Sequence, residues 1–224
     1  ETAAGLIKLS KEPINEIAFK VGYVSAASFT KAFRKRFNTS PNEYRSNNGN
    51  KMLEANYLKL SNGGSINFDI NPKIRYLNPK KVIFAQGTGK YGGETTAEAW
   101  VKLSAFLREK KLFSWKSEAL GIGLDDPDIT EPEKCRYLAC WTINKDIKPE
   151  GEIGVHEIAC GKYAIFKYKG PYSNLGKVYG AIFLHWYPKS GFQLRNHPCF
   201  EKYLNNPANT IPDKYLTEIN VPVE

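Results

Sequence analysis

The chain has 224 residues, 42% of them hydrophobic, and a formal net charge of +9. That hydrophobic share supports buried cores and excludes wholesale disorder, and no run of 18 apolar residues is present to form a transmembrane helix. The length suits one large or two modest domains. With no signal peptide and a glutamate as first residue, a trimmed stretch of a cytoplasmic protein is expected.

The first informative stretch is residues 13–25. Ile14, Ile17, Ala18 and Val21 recur at helical spacing and predict a short amphipathic helix. Gly22 follows it, where a positive φ ends a helix at no steric cost. Ser25 then suits the N-cap of a second helix, Ala26 to Phe37, with Phe29, Ala32, Phe33 and Phe37 on one face. Lys31, Arg34 and Lys35 lie on the others. Two short helices, a glycine turn and a basic second helix outline a helix-turn-helix, whose second helix enters the DNA major groove. Charge density agrees: residues 1–50 carry +4, against +5 on the much longer stretch 73–224.

The residues that end each element extend the match. Ala3-Ala4, Leu6-Ile7, Ser10, Glu16-Ile17-Ala18, Val21-Gly22-Tyr23, Phe33-Arg34-Lys35 and Thr39-Ser40-Pro41-Asn42-Glu43-Tyr44-Arg45 resemble the second half of an AraC/XylS-type DNA-binding domain over residues 1–46. The resemblance implies that Ala26, Ala27, Thr30 and Lys31 face base edges of an operator in double-stranded DNA. Alanine there departs from the family's polar readers, but it can pack on a thymine methyl. Arg34, Lys35 and Arg36 are expected on phosphates. AraC-type domains pair two helix-turn-helix units through a linking helix, and residues 1–9 resemble only the end of that helix. The stretch by itself is therefore expected to bind DNA weakly and with strong salt dependence.

Residues 47–72 read as a linker between two turn-rich segments, with one short helix or strand from Met52 to Leu60 and a strand-like alternation from Ile66 to Ile70. From Lys73 to the end the pattern is α+β. A strand at 82–85 precedes a helix with Ala97, Trp100, Val101, Ser104 and Leu107 on one stripe, and strands at 120–124 and 136–143 follow. A strand at 163–168 then precedes a helix with Leu175, Val178, Tyr179, Ile182, Phe183 and Trp186 on one stripe, followed by strands at 200–204 and 216–221. Ile83-Phe84 to Gly89-Lys90-Tyr91 is echoed by Ile165-Phe166 to Gly170-Pro171-Tyr172. The fold expected for 73–224 is a duplicated β-α-β-β domain with an antiparallel sheet, two helices and a cleft at the pseudo-twofold junction.

Gly121-Ile122-Gly123-Leu124-Asp125-Asp126-Pro127, Gly161-Lys162-Tyr163-Ala164, Lys169-Gly170-Pro171-Tyr172, Trp186-Tyr187-Pro188-Lys189-Ser190-Gly191 and Phe200-Glu201-Lys202-Tyr203 resemble a GyrI-like effector-binding domain. The resemblance implies a small, amphipathic or cationic ligand, with Glu201 at an acidic position that contacts cations in some members. Tyr91, Trp141, Phe166, Tyr168 and Tyr172 are expected to wall the cleft, and Trp100 and Trp186 to belong to the core. The plain alternative for Glu201 is a surface ion pair with Lys202.

Cys135, Cys140, Cys160 and Cys199 include no CxxC pair, and His156, His185 and His197 form no triad with a serine, so neither metal nor cofactor is expected. Asp125-Asp126-Pro127-Asp128 reads as a turn. Taken together, the two halves point to a one-component transcription regulator controlled by a small molecule. The competing readings are a hydrolase using Glu201 with Tyr91 or Tyr172, and a protein-binding module like the topoisomerase inhibitor for which the second family is named.

Overall fold

The computed structural model describes residues 2–46, 68–127 and 129–224. They fall into two compact units, Glu1–Ser65 and Ile66–Glu224. The reading of Met52 to Leu60 lies outside the described residues. Of the strand expected at 66–70, Phe68 makes a single bridge to Tyr168.

The first unit holds helices α1 (Thr2–Leu9), α2 (Ile14–Lys20), α3 (Ala26–Phe37) and α4 (41–46). Ala4, Ile7, Ile17 and Ala18 are fully buried at their contact. An aromatic ladder finishes the core: Tyr23 stands edge-on to Phe29 at 5.3 Å, Phe29 leads to Phe33 and Phe37, and Tyr44 closes on Phe33 at 5.3 Å. Gly22 makes the turn with φ +89°. The Ser25 hydroxyl accepts the Ser28 N–H at 3.1 Å, which caps α3 as the sequence implied. α4 starts on a capping box: Glu43 accepts the Ser40 N–H at 2.9 Å, and Ser40 Oγ accepts the Glu43 N–H at 3.2 Å. The Ser40 hydroxyl, which donates to the Glu43 carboxylate at 2.7 Å, and then the Ser40 N–H hold that carboxyl below its ordinary range.

The second unit is an eight-stranded antiparallel sheet with helices. Its strands are β1 (Lys73–Leu77), β2 (Lys80–Thr88), β3 (Ala119–Gly123), β4 (Arg136–Thr142), β5 (Ile153–Ile158), β6 (Gly161–Lys169), β7 (Phe200–Tyr203) and β8 (Leu216–Pro222). They lie in the order β1-β6-β8-β7-β3-β4-β2-β5. The order is symmetric about the β7/β3 pair. β1 precedes β2 in the chain yet pairs with β6, while β5 precedes β6 yet pairs with β2. Each leading strand thus covers an edge of the other half, which satisfies backbone groups that would otherwise lie open.

α5 (Glu94–Glu109) and α6 (Leu175–Ala181) cover one face. That they share it follows from the register, because directly paired residues point the same way. One row crosses the sheet through Phe166, Ile219, Glu201, Gly121, Ala139 and Ala85. Ala85 and Ala139 pack with α5, and Phe166 and Ile219 with α6. Glu201 is therefore central, between two helix-covered cores. A third core of Val82, Leu120, Ile122, Leu138, Tyr163 and Phe200 occupies the opposite face.

The helices depart from the expected stripes. α5 buries Ala99, Leu103, Phe106 and Leu107, and leaves Val101 69% exposed, so its inner face is rotated from the stripe through Ala97 and Val101. α6 runs into a π-helical turn, Ile182–Trp186, before α7 (Tyr187–Ser190). Pro188 supplies no N–H to the carbonyl one α-turn before it, which accounts for the widened turn at that point.

Candidate functional site

On α3 the two faces divide cleanly. Phe29 and Phe33 are buried, whereas Ala27, Lys31, Arg34 and Lys35 are exposed and Ala26 and Thr30 half-exposed. Ala26, Ala27, Thr30, Lys31 and Arg34 line one shallow depression along the helix. The residues expected at DNA thus form one surface, with Lys35 exposed beside it.

In the second unit the site is built on β7. Strand alternation sends Glu201 and Tyr203 to the helix-covered face and Phe200 and Lys202 to the other. Lys202 bonds Glu118 at 2.6 Å, and Lys80 bonds the same carboxylate. Burial acts to raise the Glu118 carboxyl, but the two ammonium groups hold it below its usual range. The surface pair considered for Glu201 and Lys202 does not form, since the two side chains lie on opposite faces of the sheet.

Glu201 instead sits among aromatic residues drawn from both halves. Tyr203 donates to Glu201 Oε2 at 2.5 Å, Tyr137 and Tyr203 hydroxyls meet at 2.9 Å, and Trp100 Nε1 donates to Tyr137 at 3.2 Å. Proton inventory gives this chain a direction. An indole N–H only donates, and Tyr203 spends its single proton on Glu201, so Tyr137 donates to Tyr203. The Tyr179 hydroxyl, on α6, also acts on the Glu201 carboxyl. Around this chain, Tyr203 packs with Trp100 at 5.8 Å and Tyr172 at 5.1 Å, and Tyr172 stacks on Tyr215 at 4.5 Å. Burial lifts the Glu201 carboxyl to about 7, against the pull of the Tyr203 and Tyr179 hydroxyls. Burial also pushes Tyr172 up to about 12.

The expected wall residues divide. Tyr172 lies in the aromatic ring. The Tyr91 ring stands 6.3 Å from Tyr137, but its hydroxyl is bound to Asp125 and Arg136 backbone carbonyls at 2.8 and 3.0 Å. It staples a loop, so it is not a free proton donor to the cleft. Trp141 shares Tyr203's row across Ala119 and packs edge-on to Phe113 at 5.5 Å, away from the carboxylate. Phe166 and Tyr168 are core: they are 0% and 2% exposed and pack under α6, with Trp186 edge-on to Phe166 at 4.9 Å. Trp100 packs against the α5 core as expected, and its N–H also reaches Tyr137. Tyr137, Tyr179, Tyr203 and Tyr215 were not anticipated. Tyr203 had a local signal, because two residues apart on a strand means the same face as Glu201; the others come from distant elements.

Asp125 forms an ion pair with Arg136 at 2.8 Å, whose hydrogen bonds hold its carboxyl low. Among the described residues, no group of His, Cys, Asp and Glu is placed to hold a metal, and no helix is long and apolar enough to cross a membrane.

A helix-turn-helix unit joined to an α+β domain with a carboxylate in an aromatic cage defines a class: a DNA-binding module combined with a small-molecule-binding module. Comparison with known proteins agrees. The family model of the GyrI-like small molecule binding domain matches residues 70–224, and that of a helix-turn-helix domain matches residues 1–47. The chain belongs to the GyrI-like small molecule binding domain family. YosT of Bacillus subtilis (strain 168), a SPbeta prophage-derived protein named as a candidate transcriptional regulator, is 28% identical over 67% of this chain and 97% of its own length. YgiV of Escherichia coli (strain K12), named a probable transcriptional regulator, is 29% identical over 48% of this chain and 68% of its own. Among solved structures, EcmrR in a DNA complex aligns with a TM-score of 0.56 at 16% identity, over 88% of this chain and 76% of that one. A hydrolase from Listeria innocua aligns at 0.52 and 12% identity, over 70% of this chain and 94% of that one. These structural likenesses speak to fold.

Proposed function

We propose that the protein is a one-component, cytoplasmic transcription regulator whose DNA binding responds to a small apolar cation held at Glu201. The observation that carries this reading is the carboxylate itself: one acid, ringed by aromatic side chains from both halves of the sheet. Such a site attracts a cation by charge and by the electron-rich ring faces, and repels anions. Ala26, Ala27, Thr30 and Lys31 read the operator, and Arg34 and Lys35 hold its phosphates. For the ligand to act, it must favour one DNA-binding state over another. The names of YosT and YgiV support the regulatory role.

The test is tryptophan fluorescence with tetraphenylphosphonium, whose charge is permanent, followed by DNA binding with and without it. Saturable quenching together with a change in DNA affinity is the expected result. Quenching without any change in DNA affinity rejects the regulatory coupling. A second reading, hydrolysis of a small electrophile, has one observation in its favour: a carboxyl poised near neutrality beside the Tyr203 hydroxyl. Turnover that Glu201→Gln abolishes would select it.

A further inference from the structure

We infer that the Glu201 site takes its cationic ligand in exchange for a proton: below neutral pH the empty site holds Glu201 mainly as a neutral acid, and the bound cation replaces the acid's hydrogen. This rests on the reading of Glu201 as the ligand anchor and adds the charge rule by which the site selects.

Neutral groups face the carboxyl from every side. Tyr203 and Cys199 approach from β7 and its lead-in, Tyr179 from α6, Tyr137 from β4 and Tyr172 from the turn after β6. All are neutral at physiological pH, and burial pushes each of them further from ionisation. α5 contributes Trp100, which does not titrate, while β3 and β8 place Gly121 and Ile219 beside the acid. The neighbouring cation in sequence, Lys202, is committed to Glu118 on the opposite face. None of the groups acting on Glu201 among the described residues is basic.

A half-buried carboxylate among aromatic rings, with no counter-charge beside it, is costly, and such a group tends to neutralise itself by taking up a proton. The Tyr203 donor and the Tyr179 hydroxyl reduce that cost without cancelling it, consistent with the upward shift to about 7. An apolar monocation supplies the missing counter-charge. On binding, the Glu201 O–H bond breaks, the proton passes to solvent buffer, and the carboxylate and cation remain as a pair. An uncharged ligand of the same shape has no counter-charge to offer, so it leaves the acid protonated.

The experiment is calorimetry of tetraphenylphosphonium binding to the whole chain, in buffers of different ionisation enthalpy at pH 6 and pH 8.5. The ligand carries the same charge at both values, so any proton comes from the protein. The expected result is release of about one proton per ligand at pH 6 and almost none at pH 8.5, with affinity weakening about tenfold per unit below the midpoint. Triphenylphosphine oxide, a neutral analogue, should release none at either pH. Binding of the cation with no proton release and no pH dependence overturns the exchange while leaving Glu201 as the anchor. Failure of the cation to bind at either pH overturns the anchor reading and the exchange together. The carbon-13 shift of the Glu201 carboxyl in the empty protein is an independent check that needs no variant. A midpoint near neutrality supports the exchange, and one below pH 5 refutes it.

Discussion

Gly121 lies directly across the β3/β7 ladder from Glu201, on the same face of the sheet. A Cβ at 121 would overlap the hydroxyl oxygens of both Tyr203 and Tyr137. The hydrogen-bond chain that reaches Glu201 therefore passes over a gap that only a missing side chain provides. Both tyrosines are held at their hydroxyl ends, so Gly121→Ala cannot be absorbed by swinging a free side chain aside. The expected cost is about 1–3 kcal/mol of unfolding free energy, read from urea denaturation. The same variant should move the Glu201 titration seen by carbon-13 NMR, because the Tyr203 donor is displaced. An unchanged titration would show that the chain does not act on Glu201.

Glu201→Gln should abolish a pH dependence of stability. The folded carboxyl titrates near 7, above its ordinary value. Between those values the folded state binds more protons than the unfolded chain, so wild-type stability falls as pH rises through that window. Glutamine cannot ionise and lacks this slope. The variant should match wild type near pH 4 and exceed it by roughly 1–3 kcal/mol at pH 8. Paired urea melts at the two pH values measure the difference, and equal slopes would place Glu201 at an ordinary carboxyl pKa.

On the DNA side, Lys31 and Arg34 are exposed, so their replacement by alanine should alter stability by less than about 0.5 kcal/mol. Their effects on binding should differ in kind. Lys31→Ala should weaken binding to an operator selected from random sequence by about 1–3 kcal/mol and relax its preference at one position. Arg34→Ala should weaken all sequences alike and reduce the salt slope by about 1. Filter binding across a salt series separates the two. Equal effects would mean that α3 sits on the backbone without reading bases.

How much of this was legible beforehand follows from the range of each signal. α2, the Gly22 turn and α3 were readable because period, turn and cap are all local. The same holds for the strand that contains Glu201. β1 and β5 were not read. They lie on the sheet edges, and their partners are about 80 residues away in the chain. The cage failed for a related reason. The expected aromatics came from the strands and turns that repeat, whereas Tyr137 reaches Tyr203 from β4, and the helices add Trp100 from α5 and Tyr179 from α6. Phe166 was misassigned because its row puts Ile219 between it and Glu201, a fact of register that no local pattern encodes.

Arg45 offers a test of the first unit by itself. Its guanidinium donates to the Glu12 carbonyl at 2.7 Å and to the Ile7 carbonyl at 3.3 Å, tying α4 to the end of α1 and the turn beyond. The Glu12 and Ile7 carbonyls lie past or near a helix terminus, where no helical N–H is available to them. Arg45→Ala should cost about 1–3 kcal/mol, the usual loss when a charged donor leaves half-buried acceptors unpaired. In a unit this small, with little core to spare, that loss should melt a measurable fraction of the helices at moderate temperature. All four tryptophans lie in the second unit, so their fluorescence reports on that unit. The expected result is a lower midpoint for the helical circular-dichroism signal with an unchanged tryptophan midpoint. A shift of both together would mean that the two units unfold as one.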